Sequence, residues 1–274
     1  MVNVYLEAKV PRLGNILYCD DAPFDKALGA IESKGGKIIT GEQFAVARMA
    51  FGRDHSLSEN DSYFRPGDLF VPKAEHKRYL LKKSIILSSK KRLKEAVDAH
   101  REGYEYFLGK NFDINAYLNR IGEKNFFVFD DLSPVPTDCF GDSKAMVFLF
   151  GNHAQKYGLW LRNVQDGNVS GISVAEFVGF RTEKYIDGQS EPFADQLWLD
   201  RLGNNSNIIG DSRSLYYSYT VRGVCRIAVG DAPKVVETYT PKEMKSLVTK
   251  SLNSAGIIGK SQKLVISDLE KRLK

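Results

Sequence analysis

Residues 2–10 alternate almost perfectly, with Val2, Val4, Leu6, Ala8 and Val10 on one side, which is the period of a half-buried strand. Pro11 ends the run, and residues 13–19 predict a second short strand. A helix then starts at Asp21 with Pro23 in its first turn. Its apolar residues Phe24, Ala27, Leu28 and Ile31 fall at helical spacing, and Gly35-Gly36 stop it. Thr40 is placed as an N-cap with Gln43 three residues on, the capping-box arrangement, and predicts a second helix through Phe44, Ala47 and Arg48 to about Phe51. Residues 55–73 are polar and carry Asn60-Asp61-Ser62 and Pro66-Gly67, so they predict loop. Between residues 75 and 108 the clusters Tyr79-Leu80-Leu81, Ile85-Ile86-Leu87, Leu93, Ala96-Val97 and Phe107-Leu108 read as helical. Ser88-Ser89 interrupt them, because serine favours caps over helix interiors. A shorter helix is expected over 113–121.

The pattern then changes. Residues 125–129 are aromatic and β-prone, 145–150 are continuously apolar, and 158–162, 171–180 and 220–229 are further strand candidates separated by turns such as Gln165-Asp166-Gly167-Asn168. Beyond Asp231-Ala232-Pro233 helix returns. Thr240, Pro241 and Glu243 supply an N-cap, a first-turn proline and an acid at the third position, and residues 267–273 predict a final helix. The arrangement is α+β, a main domain over 1–230 with a helical insertion at about 75–121, followed by a helical C-terminal extension over 231–274.

Composition narrows the function classes. Hydrophobic residues at 43% and charged residues at 27% exclude wholesale disorder, and a net charge of +5 leaves acidic partners open without requiring one. No stretch approaches the roughly 20 apolar residues of a membrane span, and residues 1–10 lack the apolar run of a signal peptide. The expected location is therefore cytoplasmic by default, or display through a partner. Cys19, Cys139 and Cys225 are far apart without CxxC spacing and read as reduced thiols. The four histidines are scattered, so neither metal nor cofactor is expected. There is no Gly-x-Ser-x-Gly elbow and no phosphate loop, and the chain is expected not to be an enzyme.

One segment stands out chemically. Of the 16 positions from Asn204 to Tyr219, 12 are Asn, Ser, Tyr, Asp or Arg. Tyrosine brings rigid contact area with few torsions to freeze, and Ser and Asn bring adaptable hydrogen bonds, the combination used by antibody paratopes. Trp198 and Arg201 add two further residue types common at binding hot spots. The same composition also suits a polar surface loop leading into an edge strand with its tyrosines packed on one face.

The flanks of that segment carry a resemblance. Val221-Arg222-Gly223-Val224-Cys225-Arg226-Ile227-Ala228-Val229 resembles the terminal "yGFR-x-V" strand of the C-type lectin fold, in the branch shared by formylglycine-generating enzymes and the variable proteins of diversity-generating retroelements. The run from Gly35 through Thr40-Gly41-Glu42-Gln43-Phe44 to Arg48 is similar to that branch's "G-K-R-L-P-T-E-A-E-W-E-x-A-x-R" helix start, with Gly41 and Phe44 standing for its proline and tryptophan. Phe24 to Ile31 is placed like the preceding helix, and Gly158-Leu159-Trp160-Leu161 like the central Trp-bearing strand. The insertion and the C-terminal extension are additions to the pattern. The sequence looks most like the archaeal variable proteins, in which mutagenesis at template adenines yields Asn, Ser, Tyr, Asp and Arg codons just before the last core strand.

The resemblance implies a C-type lectin-like scaffold displaying a hypervariable ligand surface. Tyr216, Tyr217 and Tyr219, with Trp198, would be aromatic anchors. Asn204, Asn205, Ser206, Asn207, Ser212, Ser214 and Ser218 would be adaptable contacts, and Asp200, Arg201, Asp211 and Arg213 would set charge preference. The implied partner is a macromolecule, expected to be a protein of variable identity. Sugar binding is not implied, since Glu191-Pro192-Phe193 is not the calcium-lectin tripeptide. Two alternatives stay open. A formylglycine-generating-type oxygenase needs two neighbouring thiolates, and only Cys225 lies in the equivalent region. A nucleic-acid binder would use the basic helices, with Lys82-Lys83 and Lys90-Lys91-Arg92, although Glu95, Asp98 and Glu102 interrupt any positive stripe and make nucleic acid the less favoured partner.

Overall fold

The alternating N-terminal run folds into a hairpin of β1 (Tyr5–Val10) and β2 (Gly14–Cys19), paired antiparallel. Helix α1 (Phe24–Ser33) follows with Phe24, Ala27, Leu28 and Ile31 buried, as the helical spacing requires. A short β3 (Lys37–Ile38) leads to α2 (Gly41–Phe51), whose capping box forms. Thr40 Oγ1 accepts from the Gln43 amide at 3.2 Å, and Gln43 Oε1 accepts from the Thr40 amide at 3.0 Å. Glycine is required at position 41, where a Cβ would lie 2.5 Å from the Leu149 carbonyl oxygen.

This structure is a computed structural model, and it describes residues 2–11, 13–20, 22–53, 55–71, 77–129, 133–164, 172–178, 188–202, 207–210, 215, 220–225 and 249. The chain divides into two units, Met1–Arg226 and Ile227–Lys274. Of the helix expected from Thr240 only Thr249 is described, and it is helical; the helix expected at 267–273 and the turn at 165–168 lie outside the described residues.

The middle of the chain departs from the expected pattern. Residues 55–73, expected as loop, form α3 (Ser56–Glu59) and the ten-residue strand β4 (Ser62–Val71). Residues 75–121, expected as a helical insertion, begin with β5 (Lys77–Leu81), which joins the main sheet beside β4. Only then come α4 (Lys90–Arg101), capped by Ser89, the short β6 (Tyr106–Phe107) and α5 (Ile114–Ile121). Next are β7 (Phe126–Val128), as expected, and β8 (Val135–Pro136). The strands expected at 145–150 and 158–162 are the helices α6 (Lys144–Phe150) and α7 (Ala154–Asn163), so Trp160 is helical rather than on a central strand. Among the described residues of 171–180, β9 (Val174–Ala175) and β10 (Phe177–Val178) are strand. The described chain closes with β11 (Phe193–Leu199), β12 (Ile208–Ile209) and β13 (Thr220–Cys225).

The physical reason for these departures is that the sheet is covered on both faces. Its strand order is β1-β2-β13-β4-β11-β12-β10, with β5 and β7 continuing beside β4, β3 against β13 and β6 against β11; β8 and β9 pair apart. One apolar cluster packs Phe64, Phe70, Leu80, Phe193, Leu197 and Leu199 with Phe44 of α2, Met146 and Leu149 of α6, and Tyr157 and Leu161 of α7. The other packs Tyr63, Leu69, Leu81, Ala194 and Trp198 with Phe24 and Ile31 of α1, Val97 of α4 and Tyr117 of α5. Successive residues of β4 and β11 therefore enter opposite cores, and a strand buried on both sides shows no polar alternation. Pro66 is tolerated in β4 because the pairing with β11 is interrupted there, with the register shifting between Gln196 and Trp198. The Gln196 side-chain amide replaces the missing ladder bonds, donating to the carbonyls of Phe64 and Pro66.

The fold is α+β, as expected. Among the described residues the helices at 24–33 and 41–51 and the terminal strand β13 stand where the lectin-like pattern places them, and β13 pairs antiparallel with β2.

Candidate functional site

The segment singled out by composition begins on β11 and ends on β13, the two strands that flank β4. Every residue of β11 is buried, so the strand delivers its C-terminal end to the surface from a fixed position. Trp198, expected as an aromatic anchor for ligand, is only 8% exposed and belongs to the α1/α4-side core. That expectation is corrected. Position 198 points to one core and its neighbours Leu197 and Leu199 to the other, and the strand leaves no outward face for a contact residue. Leu215, between the expected contacts, is fully buried as well.

Beyond Leu199 the chain turns and returns as β12, with Leu199 opposite Ile208 and Trp198 opposite Ile209. The mouth of this turn is built from Asp200, Arg201 and Asn207. The Asp200 amide donates to the Asn207 carbonyl at 3.0 Å, and Asn207 Nδ2 donates to Asp200 Oδ2 at 3.1 Å, so backbone and side chain close the same pair. Arg201 is exposed, while Asp200 and Asn207 are half-buried. Asn204, Asn205, Ser206, Asp211, Ser212, Arg213, Ser214, Tyr216, Tyr217, Ser218 and Tyr219 lie outside the described residues. Of the fifteen expected contacts, the structure thus brings together Asp200, Arg201 and Asn207 and removes Trp198.

Two residues outside the expected set complete the turn. Asp61, just before β4, accepts from the Arg201 amide at 2.9 Å through Oδ1 and shares a hydrogen bond with Asp200. Burial first, and then the hydrogen bond and negative charge of Asp61, raise the Asp200 carboxyl above its ordinary 3.8. From below, Arg48 of α2 donates through Nη2 to the Asp200 carbonyl at 2.7 Å, through Nε to the Leu57 carbonyl at 2.9 Å and through Nη1 to Tyr157 Oη at 3.1 Å. Neither partner was recoverable from local pattern, since Asp61 and Arg48 lie 140 and 152 residues from the groups they hold.

The raised Asp200 has a testable sign. A carboxyl whose folded value exceeds its unfolded value contributes stability that is fully present below the unfolded value and is lost as pH rises through the folded one. Asp200→Asn mimics the protonated acid, keeping a donor toward Asp61 and an acceptor for Asn207. At pH 7 it should melt above the wild type by about 1–2 °C, a small figure because the group is partly solvated. The difference should narrow as pH falls toward 3.8. A variant melting below wild type at pH 7 would show that the carboxylate itself is what the turn needs.

The other end of the segment is equally fixed. Arg222 on β13 is fully buried and donates to both carboxylate oxygens of Glu7 on β1, Nε to Oε2 and Nη2 to Oε1, each at 2.6 Å. Its Nη2 also reaches the Ser56 carbonyl at 2.9 Å, and Ser56 Oγ donates to Glu7 at 2.6 Å. Arg48 and Arg222 both lie against the Phe44 ring, at 4.5 and 5.8 Å from its centroid.

The cysteines do not form a paired thiol site among the described residues. Cys19 is buried, Cys225 half-buried and Cys139 exposed, and none of them is in a disulfide. In the β2–β13 ladder Cys19 lies opposite Val221 and Cys225 opposite Asn15. Four strand positions, ~13 Å, therefore separate the two cysteines nearest the terminal strand. Among the described residues no group of three or more His, Cys, Asp or Glu could hold a metal, and no helix is long and apolar enough to cross a membrane.

No protein-family profile and no curated protein matches the sequence. A solved structure is similar over 77% of this chain and 96% of its own, at 16% identity and a TM-score of 0.49: a C-type lectin fold from Nanoarchaeota, described as accommodating massive sequence variation. At that level the likeness carries no functional weight, and the reading of the fold rests on the connectivity described above.

Proposed function

We propose that this chain is a non-catalytic binding protein on a C-type lectin-like scaffold, and that the surface between β11 and β13 recognises a macromolecular ligand, a protein whose identity varies between sister chains. The observation that carries the reading is the turn at Asp200, Arg201 and Asn207. It emerges from a wholly buried strand and has its main chain held from beneath by Arg48. A recognition surface gains affinity when its supports are ordered before binding, because less freedom is lost on association. The composition of residues 204–219 supports a protein ligand, since tyrosines with small polar residues suit broad, partly wet contacts. Diversification by a retroelement is proposed on that composition together with the flanking motifs.

Sequencing the encoding locus and sibling isolates tests this. A neighbouring reverse transcriptase gene, with a near-copy differing at template adenines in the codons for Arg201, Asn207, residues 211–214 and residues 216–219, is the expected result. Codons for Trp198, Leu215 and Arg222 should be invariant, because those side chains are core. Variation concentrated on the buried positions, or an invariant segment without a near-copy, would overturn the reading.

A further inference from the structure

Away from that turn, most basic residues of α4, such as Lys90, Lys91 and Lys94, are on its exposed face, but Arg92 is half-buried and turns to a cavity. Arg65 of β4, Lys83, Arg92 of α4 and Arg120 of α5 line one cavity of about 480 Å³, and no carboxylate lines it. Among the described residues none of these four cations is ion-paired. Four like charges around one cavity give it a positive potential that favours an anionic occupant.

The remainder of the lining has the same bias. Ser84, Ser88, Ser89 and Tyr117 also line it, with Tyr117 Oη donating to the Lys83 carbonyl at 2.7 Å and Ser88 Oγ to the Ile85 carbonyl at 2.6 Å, and Ser89 caps the N-terminus of the twelve-residue α4, adding the positive end of its dipole. Two buried polar atoms of the wall have no hydrogen-bond partner: Ser84 Oγ, on a residue only 3% exposed, and Arg92 Nη1. A smaller cavity of about 220 Å³ shares Arg65 and Lys83 and adds Lys82, with Glu42 as its one acid.

We propose that the larger cavity binds a small molecule bearing two or more phosphate charges. Its phosphates sit among Arg65, Lys83, Arg92 and Arg120, and its body lies against Leu87, Tyr117 and Ile121. The volume falls in the range of small-ligand sites and exceeds what one inorganic phosphate fills. Arginine forks match phosphate oxygens in pairs, which suits a fixed oxyanion. A nucleic-acid strand is the less suitable occupant, because it needs a continuous cationic track and the outer face of α4 carries Glu95, Asp98 and Glu102. The inference does not rest on the function proposed for residues 197–222.

The test is calorimetric titration of the full chain with inorganic pyrophosphate, repeated for Arg92→Gln, Arg120→Gln and Lys91→Gln. Arg120 and Lys91 are exposed, so neither change threatens folding, and circular dichroism checks all three variants. Saturable binding by the wild type, weakened about tenfold or more in Arg92→Gln and Arg120→Gln and unchanged in Lys91→Gln, is the expected outcome. Absence of pyrophosphate binding would overturn the proposal. So would equal weakening in Lys91→Gln, or binding of a 20-nucleotide single strand that pyrophosphate does not displace.

Discussion

Glu7→Ala should destabilise the protein by about 3–5 kcal/mol, the cost of removing one partner from a buried ion pair. The side chains of Arg222 and Glu7 are 0% and 3% exposed, and the pair makes two short parallel bonds with Ser56 bridging both members. Arginine cannot shed its proton to escape burial, so the lost carboxylate leaves a full charge in a dry site. Glu7→Gln should fall between, because the amide keeps one acceptor but none of the charge. Replacing both residues by leucine should cost far less than Glu7→Ala, since hydrophobic substitution of a whole buried pair is often close to neutral. Urea unfolding of the four proteins decides the matter. If Glu7→Ala loses under about 1 kcal/mol, the value typical of an exposed pair, then the pair is not the buried clamp between β1 and β13 described above.

The local signals in this chain were readable where one face of an element is wet. The capping box at Thr40, the apolar stripe of α1 and the Ser89 break all predicted elements that formed, and the alternation of residues 2–10 predicted β1, although a register shift between Leu6 and Ala8 leaves Leu6 exposed. They failed where burial on both faces erases periodicity. Tyr79-Leu80-Leu81 is a strand whose consecutive residues enter two different cores, and residues 145–150 are a helix with the same continuous apolar look. Pro66-Gly67 read as a turn because nothing local shows that the Gln196 side chain, 130 residues away, donates to the Pro66 carbonyl where the ladder is interrupted. The candidate surface divides in the same way. Composition marked Asp200, Arg201 and Asn207, whereas Trp198 looked like an anchor because residue type alone does not tell a core tryptophan from an interfacial one. The basic run Lys90-Lys91-Arg92 was visible in sequence, but the convergence of Arg92 with Arg65, Lys83 and Arg120 is a property of the fold.

Arg48→Ala should cost roughly 3–5 kcal/mol, and its effect should also travel to the ligand-side turn. The guanidinium makes three bonds to acceptors on three different elements and lies over Phe44, so truncation strands buried oxygens and opens a cavity together. Arg48→Lys keeps the charge but cannot span all three acceptors, and should recover less than half of the loss. The distinguishing readout is local. With the Asp200 carbonyl freed, amide hydrogens of residues 199–202 should exchange faster relative to the global unfolding rate, while those of β4 and β5 should change only as the overall stability does. Uniform loss of protection would reduce Arg48 to a generic core residue. A selective loss at 199–202 would show that α2 holds the turn in place through a single side chain, and that ligand affinity at Arg201 and Asn207 is set partly from inside the scaffold.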